Sequence, residues 1–169
     1  AAGGLGHFAV KVAKSLGAKV TAVCSGKNAS FVKSLGADNI VAYDNEDVQS
    51  HNMKYDLVVD VNGNLSYPDY QRMGRRGVMI GFTNMKHMLT LLLKAKSGNV
   101  SIKNFTVAIN TNSLEDVASL VRNRRIMPNI DKIFSFEQVP EALAYIERMR
   151  TRGKVAVVWE HSKHANKIC

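Results

Sequence analysis

The stretch Ala1-Ala2-Gly3-Gly4-Leu5-Gly6 opens the chain and runs directly into a segment with helical periodicity. The dinucleotide-binding fingerprint G-x-G-x-x-G would place Ala1, Gly3 and Gly6 at its three glycine positions. Its second glycine lets the backbone approach a pyrophosphate, which rests against the positive end of the following helix. Its third permits close packing of the helix. An ordinary tight turn before a helix gives the same pattern, so a second sequence feature is needed to identify a dinucleotide-binding loop.

The second signal is expected about 20 residues further on, at the end of the next strand. There the chain has Cys24-Ser25-Gly26-Lys27-Asn28, without Asp or Glu. An acidic residue at this point binds the ribose hydroxyls of NAD, whereas a basic group accommodates the 2′-phosphate of NADP. A carboxylate would repel that phosphate, and Ser25 and Lys27 would attract it. The segment therefore favours NADP(H), with an ordinary solvent-exposed loop lysine as the alternative for Lys27.

Helical and strand patterns alternate outward from this loop. Predicted helices cover residues 5–16, 29–35, 84–96, 113–125 and 140–150, and predicted strands cover 19–24, 39–43, 55–60, 77–82, 102–109, 131–136 and 153–159. Such alternation is typical of βαβ units and a parallel sheet. The apolar run Leu57-Val58-Val59 suits a sheet covered on both faces. Ser113 and Asp116 give a start like a capping box to one helix. The predicted fold is an α/β, Rossmann-type doubly wound parallel sheet.

The chain of 169 residues carries a formal net charge of +9, which favours anionic partners. Aromatic residues do not interleave with the late arginines as single-strand binders require, so a nucleic-acid partner is not expected. A solvated basic face is the simpler explanation of the charge. The apolar runs are far too short to span a bilayer. We expect a cytoplasmic protein, with an organellar location left open.

Metal and acid–base chemistry have little support in the sequence. Cys24 and Cys169 lack the spacing of a zinc site, and Cys24 is expected to be a buried small apolar residue. No histidine has an evident base or metal partner; the five are His7, His51, His87, His161 and His164. We therefore predict no metal site and assign no catalytic residue.

Several stretches together resemble the medium-chain dehydrogenase/reductases, and the closest likeness is the zinc-independent quinone-oxidoreductase group. They are residues 3–10, 13–14, 16–18, 20–25, 31–38, 54–63, 134–142 and 152–157. The likeness covers about residues 1–159. It implies hydride transfer from NADPH to a small-molecule quinone or an α,β-unsaturated or other carbonyl compound. A zinc-dependent alcohol dehydrogenase fragment and a non-catalytic nucleotide- or RNA-binding remnant stay open as alternatives.

The resemblance also implies which residues bind the cofactor. Gly3, Gly4, Leu5 and Gly6 would hold the pyrophosphate; Ser25, Lys27 and Asn28 the 2′-phosphate; Tyr43 the adenosine end; and Asn62, Gly63, Gly81 and Phe82 the nicotinamide ribose. Tyr43 is alternatively a strand-end aromatic residue, and Asn62-Gly63 forms a good turn whatever binds.

The chain also departs from the family pattern. Family members are roughly twice as long, with an N-terminal catalytic domain, and the first strand of their nucleotide fold should precede Ala1. We expect an N-terminally truncated chain, inactive alone, with a cofactor-binding domain at 1–128. Residues 129–159 would return to the absent domain, and 160–169 would form a disordered tail. The resemblance further implies a homodimer through the edge strand Ile102–Ile109.

Overall fold

The computed structural model describes residues 1–45, 53–82, 84–104 and 110–159. Helices and strands alternate through these ranges: α1 Gly6–Ser15, β1 Thr21–Cys24, α2 Ala29–Ser34, β2 Asn39–Ala42, β3 Val58–Asp60, α3 Tyr67–Met73, β4 Arg76–Met79, α4 Met85–Ser97, β5 Ser101–Asn104, α5 Thr111–Arg122, β6 Ile130–Ser135, α6 Val139–Glu147 and β7 Lys154–Val158. All named strand pairs are parallel. The predicted α/β class with parallel strands is confirmed.

The chain divides into two compact units, the first formed by Ala1–Glu46 with Asn112–Cys169 and the second by Asp47–Thr111. In the first unit, β1 pairs with β2 and β6 pairs with β7. Helices α1 and α2 are followed by Gly17 (φ +80°) and Gly36 (φ +102°), in the left-handed conformation that ends a helix. A core beneath β1 and these helices contains Ala2, Val10, Ala22, Cys24, Val32, Leu35 and Ala37.

The second unit is a three-stranded sheet in the order β3-β4-β5. Its core contains Val58, Tyr70, Met79, Leu91, Val100 and Ile102. The ring of Tyr70 lies where a Cβ atom of Gly77 would be, so a side chain at position 77 would displace it. Tyr70 belongs to α3, a helix that sequence analysis missed. Its start carries a reciprocal capping box between Ser66 and Asp69.

The strands form three separate sheets rather than one. Among the described residues, no strand precedes α1. The first residue nevertheless lies beside β1, because the Ala1 ammonium donates a hydrogen bond to the Val23 carbonyl at 2.6 Å.

Some boundaries differ from those expected. Helix α5 begins at Thr111, so Ser113 lies within its first turn rather than before it. Residues 105–109 of the predicted edge strand and the predicted tail 160–169 lie outside the described residues. Within the described part of the chain, no helix combines the length and apolar character needed to cross a membrane.

Candidate functional site

The glycine loop meets the steric demands of the fingerprint at its second and third positions. A Cβ atom at Gly6 would lie 2.7 Å from the Ala1 carbonyl oxygen and 2.8 Å from Ala1 Cα. Only glycine fits there. A Cβ atom at Gly3 would meet nothing within 4 Å, and its φ is not positive. Neither packing nor backbone strain therefore requires glycine at position 3, and the space beside it is open to a ligand.

Helix α1 begins without a side-chain cap. Its N-cap residue is Leu5, and its first turn has no acidic residue. The His7 amide donates to the Gly3 carbonyl at 3.1 Å, and His7 Nδ1 lies at the same distance from that oxygen. A helix start without a protein cap keeps unsatisfied N–H groups and a partial positive charge. This end of α1 therefore suits an anion.

A lysine from the far end of the chain lies beside this loop. The Gly153 amide donates to the Ala2 carbonyl at 3.0 Å. Lys154 Nζ then lies 3.4 Å from where a Cβ atom of Gly4 would be, and 5.7 Å from the centre of the Phe8 ring. Lys154 is not predicted from the sequence, since nothing local in the sequence connects the start of β7 with the glycine loop.

The predicted 2′-phosphate residues form a single turn after β1. Ser25 is buried, and residues Gly26–Asn28 make a short 3₁₀ turn. Asn28 Nδ2 donates to Ser25 Oγ at 3.1 Å, and Lys27 is exposed. Tyr43 is 60% exposed and its amide donates to the Cys24 carbonyl at 3.0 Å. The structure thus brings Ser25, Lys27, Asn28 and Tyr43 to one end of β1.

One carboxylate at this turn was not predicted. The Gly26 amide donates to Asp44 Oδ1 at 2.7 Å. Asp44 follows β2 in the chain, so it lies outside the segment after β1 in which an acidic residue would be expected from the sequence. Its charge opposes a phosphate, but one of its oxygens is engaged by a backbone N–H group.

A cavity of about 270 Å³ adjoins the same turn, lined by Lys27, Asn28, Asp131, Tyr145, Arg150 and Arg152. Arg152 Nε donates to Asn28 Oδ1 at 3.0 Å, and Arg152 Nη2 donates to the Lys27 carbonyl at 3.0 Å. Three cationic side chains and one carboxylate thus line the cavity. Arg150 and Arg152 were counted in the basic balance of the sequence but not assigned to any site.

In the second unit, the residues predicted for the nicotinamide end follow β3 and β4. Gly63 has φ +67°, and a Cβ atom there would overlap the Gly81 carbonyl oxygen. A Cβ atom at Gly81 would lie 2.7 Å from the Val61 carbonyl oxygen. Asn62 is exposed and Phe82 is 46% exposed. The four predicted residues therefore lie at the carboxyl ends of β3 and β4, the edge at which open α/β sheets bind ligands.

A buried carboxylate holds the turn after β3. Asp60 accepts hydrogen bonds from the amides of Asn62 at 3.2 Å, Gly63 at 2.8 Å and Leu65 at 2.9 Å. Only 7% of Asp60 is exposed. Burial, and secondarily the Asp60 charge, raise the pKa of Tyr70 far above its ordinary value. From the sequence, Asp60 is predicted to end the strand 55–60, and its role in the turn is not predicted.

A cavity in the second unit lies away from these residues. It measures about 660 Å³ and is lined by Lys54, Tyr55, Asp56, Gln71, Gly74, Arg75, Arg76, Asn99 and Val100. These residues adjoin the amino-terminal ends of β3, β4 and β5. It contains none of the predicted site residues and adjoins the edge opposite to Gly63 and Gly81.

Few described groups are suited to proton transfer. His7 is fully buried, and burial lowers its pKa, with a smaller contribution from the charges of Lys11 and Lys154. Burial raises the pKa of the Cys24 thiol. Within the residues that the structure describes, no cluster of three or more His, Cys, Asp or Glu side chains could hold a metal ion.

Comparison with known proteins gives the family. A family model described as zinc-binding dehydrogenase matches residues 35–157, well over half of the chain. The chain belongs to the zinc-binding dehydrogenase family. The predicted resemblance to dehydrogenase/reductases is thereby confirmed.

Two curated relatives illustrate how this dehydrogenase-family chain matches longer proteins. It is 30% identical to the mitochondrial NAD(P)H oxidoreductase RTN4IP1 of Bos taurus, over 93% of this chain and 46% of that protein. It is 29% identical to the chloroplastic quinone-oxidoreductase QR1 of Triphysaria versicolor, over 93% of this chain and 50% of that protein. The chain spans about half the length of the curated relatives it matches.

Solved structures of longer proteins also superpose on this chain over about half of their length. The quinone oxidoreductase from Coxiella burnetii superposes with a TM-score of 0.77 at 25% identity, over 91% of this chain and 49% of that one. An NAD-dependent alcohol dehydrogenase superposes with a TM-score of 0.73 at 23% identity, over 94% of this chain and 49% of that one. The second likeness shows the fold alone. Both support the predicted Rossmann-type fold.

Proposed function

We propose that this chain is the NADP(H)-binding portion of an oxidoreductase that reduces quinones or α,β-unsaturated and other carbonyl compounds. The observation that carries the proposal is the glycine loop. Gly6 is required by its contact with Ala1, whereas Gly3 is required by nothing in the chain and leaves space beside an uncapped helix. Such a loop suits the close approach of a pyrophosphate.

The pyrophosphate subsite comprises Gly3, Gly4, Leu5 and Gly6. The amides at the start of α1 donate to the phosphate oxygens, and Lys154 adds a positive charge beside Gly4. This charge acts on the pyrophosphate that NADH and NADPH share. It therefore contributes to affinity and not to the choice between the two cofactors.

The 2′-phosphate subsite is the turn after β1. Ser25, Lys27 and Asn28 form it, with Tyr43 at the adenosine end. The cationic lining of the adjoining cavity outnumbers its single carboxylate, which favours a phosphate. Asp44 is the feature that favours NAD instead, because a carboxylate at this place binds ribose hydroxyls. Its hydrogen bond to the Gly26 amide gives it a local structural role.

Asn62, Gly63, Gly81 and Phe82 form the nicotinamide end. The cofactor supplies the hydride, and the protein binds and orients it. The quinone or carbonyl substrate is suggested by relatives named NAD(P)H oxidoreductase and quinone-oxidoreductase. In the protein that contains this chain, NADPH consumption on adding a quinone or an α,β-unsaturated ketone tests the substrate class.

The cofactor is tested by titrating the 169-residue chain with NADPH and with NADH by isothermal calorimetry. We expect NADPH to bind at least about tenfold more tightly, the effect of one charge-assisted contact. Substituting Gly3→Val should weaken both cofactors and leave the melting temperature unchanged, because the added side chain enters open space. A cooperatively folded chain that binds neither cofactor contradicts the proposal, and equal affinities contradict the preference for NADP(H).

We further propose that the chain forms a homodimer through β5. This strand lies at the edge of the second unit's sheet, with a partner on one side in the described residues, and an exposed edge is a template for pairing with another strand. Light scattering after size exclusion should give twice the chain mass. Asn104→Pro should yield monomers. The Ser101 amide donates to the Arg75 carbonyl beside β4, and because amides alternate sides along a strand, that of Asn104 faces the free edge. Proline at position 104 cannot donate to a strand of the second copy. A monomeric wild-type chain would refute the dimer.

A further inference from the structure

Arg152 connects the end of the chain with the turn after β1. Two of its N–H groups are engaged by that turn, Nε with Asn28 Oδ1 and Nη2 with the Lys27 carbonyl, each at 3.0 Å. Asn28 in turn donates to Ser25 Oγ. The guanidinium is therefore joined directly or through one side chain to each residue of the predicted 2′-phosphate subsite.

The backbone of Arg152 is itself held in place. Its amide donates to Asp131 Oδ2 at 3.1 Å, and its carbonyl accepts from Asn129 Nδ2 at 2.8 Å. Tyr145 Oη donates to the same Asp131 oxygen at 2.8 Å. These contacts come from β6, from the residue directly before it and, through Asp131, from α6. The position of Arg152 is therefore fixed by packed elements rather than by its loop alone.

The guanidinium keeps donors for a ligand. An arginine has five N–H groups in a planar fork, and two of them are engaged by the turn. The side chain is exposed and lines the cavity together with Lys27 and Arg150. A planar fork can hold a backbone carbonyl on one side and a phosphate on the other, which the single ammonium of lysine does less well.

We propose that Arg152 sets the preference for a 2′-phosphorylated cofactor, tethering the Gly26–Asn28 turn with two N–H groups and offering its remaining ones to the phosphate. The cavity between Lys27, Arg150 and Arg152 is the place that the phosphate occupies. This assignment rests on the proposed function, and it makes the end of the chain a determinant of cofactor choice.

The experiment compares Arg152→Gln with the wild-type chain by calorimetry, using NADPH and NADH. Adenosine 2′,5′-bisphosphate and adenosine 5′-monophosphate serve as probes that isolate the 2′-phosphate. We expect Arg152→Gln to weaken NADPH and the bisphosphate about tenfold, as for loss of a charge-assisted hydrogen bond. NADH and the monophosphate should change less than about twofold, a difference that a general structural defect would not produce.

Three further variants separate the possible causes. Arg148→Gln removes the same charge from a nearby exposed residue that does not line the cavity, and should change no affinity. Lys154→Gln should weaken NADPH and NADH equally, since Lys154 lies beside the glycine loop. Arg152→Lys keeps the charge but lacks the fork, and should recover part of the NADPH preference.

The outcomes distinguish this inference from the proposed function. A wild-type chain that binds no nucleotide overturns both. A wild-type chain that prefers NADPH, with an unchanged preference in Arg152→Gln, overturns the inference alone. A parallel loss of NADPH and NADH in Arg152→Gln also overturns it, because Arg152 would then act on the fold. If Arg152→Lys shows the full wild-type preference for NADPH, a positive charge alone is sufficient. The proposed role of the guanidinium in holding the Gly26–Asn28 turn would then be wrong.

Discussion

Two turns follow parallel strands in this chain, and they differ in how exposed and how closely packed their residues are. The turn after β1 is held by side chains, among them Asn28 donating to Ser25 and Arg152 donating to Asn28. The turn after β3 is held by one buried carboxylate, that of Asp60, which accepts from three amides of the turn, and by close packing of Gly63 against the Gly81 carbonyl. In the turn after β1, a charged side chain can be substituted without changing the path of the backbone. In the turn after β3, even the Cβ atom of an alanine at position 63 would overlap the Gly81 carbonyl oxygen.

The two turns also differ in the solvent exposure of key residues. Lys27 and Arg152 are exposed, whereas Gly63 and Asp60 are buried. Substitutions in the first turn should therefore alter mainly which ligand binds, and substitutions in the second should alter mainly whether the unit folds. Cofactor choice and structural support are therefore expected to reside in different turns, and the free energies of unfolding of variants in each turn test this difference.

The largest effect is expected for Gly63→Ala. Its Cβ atom would overlap the Gly81 carbonyl oxygen, and its φ of +67° is unfavourable for alanine. We expect a loss of about 3 kcal/mol or more in the free energy of unfolding, combining overpacking with backbone strain. Urea denaturation followed by circular dichroism measures it.

Gly17→Ala is the matched control for backbone strain. Gly17 also has a positive φ, +80°, but a Cβ atom there would meet nothing within 4 Å. Its loss should be about 1 kcal/mol, the cost of the left-handed conformation alone. Equal losses in the two variants would show that contact with Gly81 adds nothing, and the contrast between the turns would fail.

The next effect compares the carboxylates of the two turns. Asp60 accepts from three backbone amides and is buried, whereas Asp44 accepts from one and is exposed. Asp60→Ala should cost about 3 kcal/mol, because buried N–H groups lose their acceptor. Asp44→Ala should cost about 1 kcal/mol or less. Denaturation of both variants under identical conditions tests this, and similar losses would contradict it.

Sequence periodicity predicted the larger elements because each is long enough to repeat an apolar pattern. Helix α3 was missed, because its seven residues are too few to show a clear 3.6-residue repeat. The six residues of α2 were predicted nevertheless, with Gly36 as the signal that ends the helix. The Ser66-x-x-Asp69 start of α3 with Pro68 was still a recognisable signal of a helix N-terminus. Separation of the strands into three sheets could not be predicted from periodicity, which contains no information about pairing.

Some residues of the candidate site are close together in the sequence, and others come from distant parts of the chain. Ser25, Lys27 and Asn28 are near neighbours in sequence, so a local pattern brings them together. Arg152 and Lys154 reach the two loops through tertiary packing, exemplified by the hydrogen bond from the Gly153 amide to the Ala2 carbonyl. No local pattern in a single sequence encodes such a contact. The cofactor roles of all these residues remain predictions.

The smallest effect is a pH dependence confined to the first unit. His7 is buried beside Gly3, and burial lowers its pKa below the ordinary value. Because the folded state disfavours the proton more than the unfolded state does, His7 contributes stability above its unfolded pKa of about 6.5. That contribution is lost as the pH falls from about 6.5 towards the lower folded pKa. Urea midpoints at about pH 7.5 and about pH 5.5 bracket the start of this loss.

Substituting His7→Gln removes the titrating group and should flatten this pH dependence. The wild-type chain should lose stability on acidification, and His7→Gln should lose less. If His7→Gln keeps the full slope, the acid sensitivity has another source, and the buried imidazole beside the glycine loop does not contribute to it.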